Sequence, residues 1–166
     1  MQQGAFSRRQ FLRGGKRNAA ARIRPPGVLE AALAACTGCG NCREHCPTSI
    51  IDLADGLPTV DFSRGECTFC GSCAEVCPEP VFTGDASNGF DHIVAIDASC
   101  LPFHHVDCQA CRVACPTDAI RFRPVRGGPF LPDLVLEACT GCGACISVCP
   151  VAAIAVATPS TEVAHA

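Results

Sequence analysis

The amino-acid sequence predicts a small α+β protein built from two tandem halves, each with short strands and short helices around clustered cysteines. Three observations support this fold class. The 166 residues include sixteen cysteines but no Tyr or Trp, so bulky side chains supply little of a conventional core. The cysteines recur in four similar blocks. Each block is followed by a short β-like stretch, in order SIIDL, VFTG, DAIRF and AAIAV, as expected where short strands alternate with short helices.

The four cysteine blocks share one spacing and use every cysteine of the chain. They read CTGCGNCREHCP from Cys36, CTFCGSCAEVCP from Cys67, CLPFHHVDCQACRVACP from Cys100 and CTGCGACISVCP from Cys139. Three of them follow C-x2-C-x2-C-x3-C-P, whereas the third begins with a seven-residue gap. We expect this longer gap to leave the loop around Cys100 more mobile than the others.

The spacing is typical of [4Fe–4S] clusters. Three thiolates at i, i+3 and i+6 can bind three iron corners of a cubane, and in bacterial two-cluster ferredoxins the following Cys-Pro binds the neighbouring cluster. Disulfides need an oxidising compartment, and structural zinc pairs two separate C-x2-C knuckles and leaves the rest of each block unexplained. The sequence therefore predicts four [4Fe–4S] clusters in tandem bacterial-ferredoxin-like, two-cluster halves.

The chain divides into four predicted segments. Residues 1–27 form a basic N-terminal arm, residues 28–85 the first two-cluster half, residues 90–157 the second two-cluster half, and residues 158–166 a flexible tail. The division between the halves falls in the small, polar stretch TGDASNG at 83–89, which has the composition of a loop.

Charge is distributed unevenly along the chain. Seven of the thirteen basic residues precede residue 25, whereas all sixteen acidic residues lie from Glu30 onward. The arm is therefore a candidate to bind an acidic partner, with Arg8 and Arg9 as its tentative contact residues; an inert basic tail is the alternative. Nucleic acid is not favoured as a partner, because no aromatic side chains for base stacking are interleaved with these charges.

The arm begins like a twin-arginine export signal, with Arg8 and Arg9 ahead of Phe11 and Leu12. Such a signal requires an apolar run of about 7–15 residues and a small-residue cleavage site. The sequence continues instead with RGGKRN. We therefore expect the arm to be retained on a soluble, cytoplasmic protein that has no transmembrane segment.

With these features in place, the sequence resembles the NapF-type ferredoxin-like accessory proteins of the periplasmic nitrate reductase system. The resemblance includes SRR at 7–9, RPP at 24–26, the four Cys-Pro-ending motifs, the widened third motif CLPFHHVDC, and FRP at 122–124. It implies a cytoplasmic protein with four [4Fe–4S] clusters. It also implies contact with the catalytic molybdenum subunit of that reductase before its export, in cofactor loading or redox maturation.

The resemblance also implies a ligand set for each cluster, in which neighbouring blocks exchange their last cysteine. The sets are Cys36, Cys39, Cys42 and Cys77; Cys67, Cys70, Cys73 and Cys46; Cys100, Cys108, Cys111 and Cys149; and Cys139, Cys142, Cys145 and Cys115. Some four-cluster proteins instead pair the first block with the fourth and the second with the third. The spacing between blocks permits both arrangements.

No signature of bond-making catalysis is visible in the sequence. It has no phosphate-binding loop, no dinucleotide fingerprint and no nucleophile with an adjacent base, so we expect a non-enzymatic protein that transfers electrons, matures its partner, or does both. The alternative is a generic electron-transfer subunit of a respiratory oxidoreductase complex. His45, His104 and His105 are candidates to tune a cluster or form a docking surface, although loop histidines more often simply face solvent.

Overall fold

The computed structural model describes residues 22–84 and 89–159. Arg8 and Arg9, most of the predicted division between the halves, and most of the predicted tail therefore lie outside the described residues. All sixteen cysteines lie within them. No helix in the described part of the chain is long and apolar enough to cross a membrane.

The first half contains one β-hairpin between two cysteine loops. A 3-10 helix at Glu30–Ala35 precedes helix α1 at Asn41–Glu44, strands β1 at Ile51–Ala54 and β2 at Leu57–Val60, and helix α2 at Ser72–Glu75. The strands pair antiparallel with Ile51 opposite Val60. Both turn residues, Asp55 and Gly56, have positive φ angles, as a two-residue hairpin turn requires.

The second half repeats this plan with more regular structure. Its elements are β3 at Ile93–Ile96, a 3-10 helix at Leu101–His104, α3 at Ala110–Ala114, β4 at Ile120–Arg123, β5 at Leu131–Leu134, a 3-10 helix at Leu136–Ala138, α4 at Ala144–Ser147 and β6 at Ile154–Ala157. Strands β4 and β5 form the central hairpin, and β3 pairs antiparallel with β6. The predicted architecture of two tandem halves with short strands and helices is confirmed.

The two halves differ in how their ends pair. In the second half β3 and β6 form a full two-stranded ladder, whereas in the first half the corresponding contact is a single antiparallel bridge between Val28 and Phe82. The stretch VFTG follows Cys-Pro-Glu-Pro. Because Pro78 and Pro80 have no backbone N–H to donate, a ladder cannot extend back through them.

In the described residues, two small apolar clusters make up much of the core. One consists of Ile50, Ile51, Val60 and Phe62, and the other of Val94, Cys111, Ile120, Cys145 and Ile154. Cysteines also pack around both clusters. Side chains of this size contribute about 1.5–3 kcal/mol each when fully buried. So few of them leave much of the stability to whatever the cysteines bind.

The halves are in direct contact. Ile146 and Val156 of the second half pack against the first-half cluster. The backbone N–H of Cys67 donates a hydrogen bond to the carbonyl oxygen of Cys142 at 2.8 Å. The two cysteine-containing loops that face this boundary therefore lie against each other.

Candidate metal centres

The sixteen thiols are distributed over four groups, each with three cysteines of one block and the last cysteine of the neighbouring block. Thiol group 1 is Cys36, Cys39, Cys42 and Cys77, which line one cavity. Thiol group 2 is Cys46, Cys67, Cys70 and Cys73, which line a second. Thiol group 4 is Cys115, Cys139, Cys142 and Cys145, which line a third.

Thiol group 3 combines Cys100, Cys108 and Cys111 with Cys149. Its members lie close enough to interact electrostatically. In addition to burial, Cys149 and Cys108 raise the pKa of Cys100, and Cys100 and Cys108 raise the pKa of Cys111. All sixteen thiols are free of disulfides. The structure thus brings together neighbouring blocks, first with second and third with fourth, in the order of the four sets that the resemblance implies.

A glycine directly before a short helix positions the third cysteine in three of the blocks. Gly40, Gly71 and Gly143 precede α1, α2 and α4 and have φ angles of 86°, 77° and 81°. This left-handed conformation is readily accessible to glycine, and it turns each loop directly into the helix that carries Cys42, Cys73 or Cys145. The third block has Gln109 at this place, with φ of −136°, so its loop enters α3 by a different turn.

The widened third block contains regular structure in its seven-residue gap. Residues Leu101–His104 form a 3-10 helix, the N–H of Cys100 donates to Asp97 O at 3.2 Å, and His104 Nε2–H donates to Ala98 O at 2.9 Å. Cys100 itself is buried. The extra residues therefore form their own hydrogen-bonded turn, and the greater mobility expected of this loop stays a prediction.

Burial makes some of the thiols costly to ionise. It is the largest cause that raises the pKa of Cys73 and Cys145 to about 12 and that of Cys111 to about 11, and neighbouring thiols raise each of them further. Four thiolates that line one such cavity need compensating positive charge. Iron supplies that charge and prefers thiolate ligands, so the donor set fits an iron–sulfur cluster.

Hydrogen bonds from backbone N–H groups stabilise the last cysteine of the third and fourth blocks. The backbone N–H groups of Ala119 and Ala153 donate to the Sγ atoms of Cys115 and Cys149 at 3.3 and 3.2 Å. Such bonds satisfy backbone groups next to the sulfur and tune the properties of a bound cluster.

Two threonines add to this stabilisation. Thr48 Oγ1 lies 3.6 Å from Cys46 Sγ, and Thr117 Oγ1 lies 3.7 Å from Cys115 Sγ. Burial acts to raise the pKa of Cys46 and Cys115, but these hydroxyls and nearby backbone N–H groups outweigh it and lower the pKa of both. We had not singled out the threonines, although both occur in the repeated sequence Cys-Pro-Thr.

The candidate histidines are all exposed. His45 Nδ1–H donates to Asn41 O at 3.0 Å, and His104 contacts the backbone as described above. His105 lines an open groove together with Asp107 and Phe130. A different histidine, His92, is partly buried at the boundary between the halves, where its Nε2–H donates to Gly141 O at 2.9 Å.

Fold and thiol groups together define the class of protein: a ferredoxin-type iron–sulfur protein with two tandem dicluster domains. Residues 25–84 and residues 106–153 each match a family model described as a 4Fe-4S dicluster domain. Proteins of this class are electron carriers.

The relatives define the family more closely. Ferredoxin-type protein NapF of Haemophilus influenzae is 44% identical over 160 residues, covering 89% of this chain and 91% of that protein. Ferredoxin-type protein NapF of Escherichia coli K12 is 40% identical over 151 residues, covering 89% of this chain and 92% of that protein. The chain belongs to the NapF family of ferredoxin-type proteins, which confirms the predicted resemblance.

More distant matches are also found. Ferredoxin-type protein NapG of Escherichia coli K12 is 33% identical over 152 residues, covering 77% of this chain and 66% of that protein. A solved complex of formate dehydrogenase, heterodisulfide reductase and formylmethanofuran dehydrogenase from Methanospirillum hungatei is 26% identical, covers 75% of this chain and 53% of that chain, and superimposes with a TM-score of 0.30. This overlap is too low to define a shared fold.

Proposed function

We propose that this protein binds four [4Fe–4S] clusters, transfers single electrons, and assists maturation of the catalytic subunit of periplasmic nitrate reductase in the cytoplasm before that subunit is exported. The observation that carries the proposal is the arrangement of all sixteen cysteines in four groups of four. We assign one cluster to each of thiol groups 1 to 4, with every cysteine as an iron ligand. The two dicluster matches support this number.

Within this proposal, the clusters supply one-electron storage when bound. The chain contributes the surroundings. The buried Cys145 and the half-buried Cys73 are partly or fully shielded from water, and N–H donors such as those of Ala119 and Ala153 stabilise negative charge on sulfur. No substrate bond is made or broken, so the protein needs no acid, base or nucleophile of its own.

The proposed partner follows from family membership and charge. NapF relatives and the resemblance described above favour the molybdenum-containing catalytic subunit of the nitrate reductase as the partner. Arg8 and Arg9 belong to the strongly basic arm, whereas the rest of the chain is acidic. The arm is therefore our proposed contact with an acidic region of that subunit.

The alternative is a generic electron-transfer subunit of a respiratory oxidoreductase complex. Its support is the close succession of thiol groups within each half, in which α1 contacts α2 and α3 contacts α4. The two functions make different demands on the partner. Maturation requires binding to a subunit that has not yet been exported, whereas a relay subunit binds an assembled oxidoreductase.

Affinity purification under anaerobic conditions from cytosol, with iron and sulfide measured on the same sample, tests the proposal. We expect the protein to recover the nitrate reductase catalytic subunit with its export signal still attached. Recovery of an assembled respiratory oxidoreductase instead would support the alternative. Recovery of neither, from a preparation fully loaded with iron, would contradict both partner assignments and leave the cluster assignment standing.

A further inference from the structure

Thiol groups 2 and 4 adjoin each other across the boundary between the halves. The hydrogen bond from Cys67 N–H to Cys142 O, at 2.8 Å, joins a member of thiol group 2 to a member of thiol group 4. A direct backbone bond between two cysteine positions leaves no room for an intervening layer of protein. By this hydrogen bond, thiol groups 2 and 4 are the two groups that approach each other most closely across the boundary.

Phe62 closes this junction. Its side chain is buried and follows β2 in the first half, but its ring occupies the place where a Cβ atom on Gly143 of the second half would lie. Gly143 is the left-handed residue at the start of α4, and α4 carries Cys145. Phe62 thus packs directly on the loop that presents thiol group 4.

Aromatic contacts extend the junction. The Phe62 ring lies 5.5 Å from that of Phe90, at an interplanar angle of 82°, and 5.7 Å from that of His92. Phe90 N–H donates to Thr140 O at 3.0 Å, and His92 Nε2–H donates to Gly141 O. Both bonds end on the loop between Cys139 and Cys142, so the same aromatic cluster that contacts Phe62 also fixes this loop.

Within each half the two groups also adjoin. Cys42 of thiol group 1 and Cys73 of thiol group 2 pack against the first core cluster. Cys111 of thiol group 3 and Cys145 of thiol group 4 belong to the second core cluster. By contrast, no hydrogen bond in the described residues joins the loop at 36–46 to the loop at 100–115.

We propose that the four thiol groups form one linear electron path in the order group 1, group 2, group 4, group 3, and that Phe62 is the positioning residue of its middle step. This order rests on the proposed function, because the path conducts only when the groups hold clusters. One electron passes from a one-electron donor protein to one terminal group, and one electron leaves the other terminal group for a one-electron acceptor protein. No bond forms or breaks, and the chain returns to its starting state.

Electron paramagnetic resonance of matched variants, loaded and fully reduced, tests the order. Replacing Cys36, Cys39, Cys100 and Cys108 with Ala leaves thiol groups 2 and 4 complete. We expect about eight iron atoms per chain and a spectrum broadened by interaction between the two reduced clusters. The control variant replaces Cys67, Cys70, Cys139 and Cys142 and keeps groups 1 and 3. We expect its spectrum to be the sum of two isolated signals.

A sum of isolated signals from groups 2 and 4, or an interaction between groups 1 and 3, would overturn the order. If either of the four-cysteine variants fails to bind iron, the variant Phe62→Ala tests the middle step of the path with all four groups intact. We expect Phe62→Ala to reduce the magnetic interaction between the halves while the iron content stays at the wild-type value. Phe62→Leu should restore part of this interaction. Phe130→Ala, at an exposed hairpin position, is the control and should have no effect. An unchanged Phe62→Ala spectrum would overturn the role of Phe62.

The outcomes separate this inference from the function on which it rests. Wild-type protein without iron after reconstitution would refute the proposed function. If the wild-type protein is fully loaded but the variants show an interaction between the wrong pair of groups, the linear order alone is refuted.

Discussion

At the scale of single residues, Gly71 and Gly143 occupy equivalent positions with different surroundings. Both have positive φ angles, 77° and 81°, at the start of the helix that carries the third cysteine of a block. A Cβ atom on Gly71 would have no atom within 4 Å, whereas one on Gly143 would overlap the ring of Phe62. Substituting alanine at Gly71 therefore tests backbone strain alone, whereas the same substitution at Gly143 tests strain together with the contact between the halves.

We expect Gly71→Ala to lower the free energy of unfolding by about 1–2 kcal/mol, the usual cost of a left-handed residue with a Cβ atom. Gly143→Ala has the same strain and an additional steric cost of about 1–3 kcal/mol. Anaerobic denaturant unfolding of the loaded proteins measures both. Equal losses would show that Phe62 moves aside freely and does not fix the boundary.

A single thiol also has a predicted effect beyond its own position. Cys70→Ser removes one ligand of thiol group 2, and we expect about four fewer iron atoms per chain and a lower unfolding midpoint for the first half, because metal binding and folding are coupled. Iron analysis with circular dichroism checks this. Ser63→Ala, a change at an exposed position, is the control and should keep the full iron content. Unchanged iron in Cys70→Ser would contradict the ligand assignment.

The positions of the thiols were predictable at this scale, because the repeated spacing marks them directly. Phe62 and His92 were not predicted, since nothing in the sequence shows that they meet a loop of the other half. The threonines at 48 and 117 were detectable from the repeated Cys-Pro-Thr. The sequence alone does not show that their hydroxyl groups lie beside cysteine sulfur atoms, as they do in the structure.

At the scale of secondary-structure elements, four-residue strands depend on a few buried side chains. Ile120 in β4 is 1% exposed and belongs to the cluster that also contains Cys111 and Cys145. The neighbouring Val125, in the turn between β4 and β5, is 42% exposed. The hairpin is therefore held to the cysteine loops chiefly by its inward-facing residues.

Replacing Ile120 with Ala is expected to lower the free energy of unfolding by about 2–5 kcal/mol, because it leaves a cavity in a small core. The matched change Val125→Ala is expected to stay within about 0.5 kcal/mol of wild type. Both are measured by equilibrium unfolding of loaded protein. A loss at Ile120 no larger than at Val125 would mean that the clusters alone, without this apolar packing, stabilise the second half.

The strand prediction held for three of the four stretches that follow the cysteine blocks and failed for the one that two prolines precede. The stretches after the first, third and fourth blocks become β1, β4 and β6, as their β-branched residues indicate. The stretch after the second block forms only the bridge from Val28 to Phe82. Its apolar residues resemble a strand, but the two prolines before it limit the available donors.

At the scale of the whole molecule, the chain pairs an acidic body with a basic arm. If the arm binds the partner, Arg8→Gln with Arg9→Gln should weaken binding to the nitrate reductase catalytic subunit most at 0.01 M salt, where charges act over about 30 Å, and little at 1 M, where they act over about 3 Å. Titration calorimetry at the two salt concentrations measures this.

The matched control removes the same charge from the body. Arg121 and Arg123 lie on one face of β4, and both are exposed. Arg121→Gln with Arg123→Gln should therefore weaken binding less than the change in the arm. Equal effects would indicate general charge attraction rather than a contact by the arm. No effect of either change would support the inert-tail alternative.

We expect the folded chain to depend on cluster binding by its cysteines, because the apolar core is too small to order the chain alone. The most direct test is iron and acid-labile sulfide per chain after anaerobic reconstitution. We predict about sixteen atoms of each, with loss of the folded structure when iron is removed by chelation. Far fewer iron atoms in a chain that remains folded would contradict the dependence of the fold on its clusters.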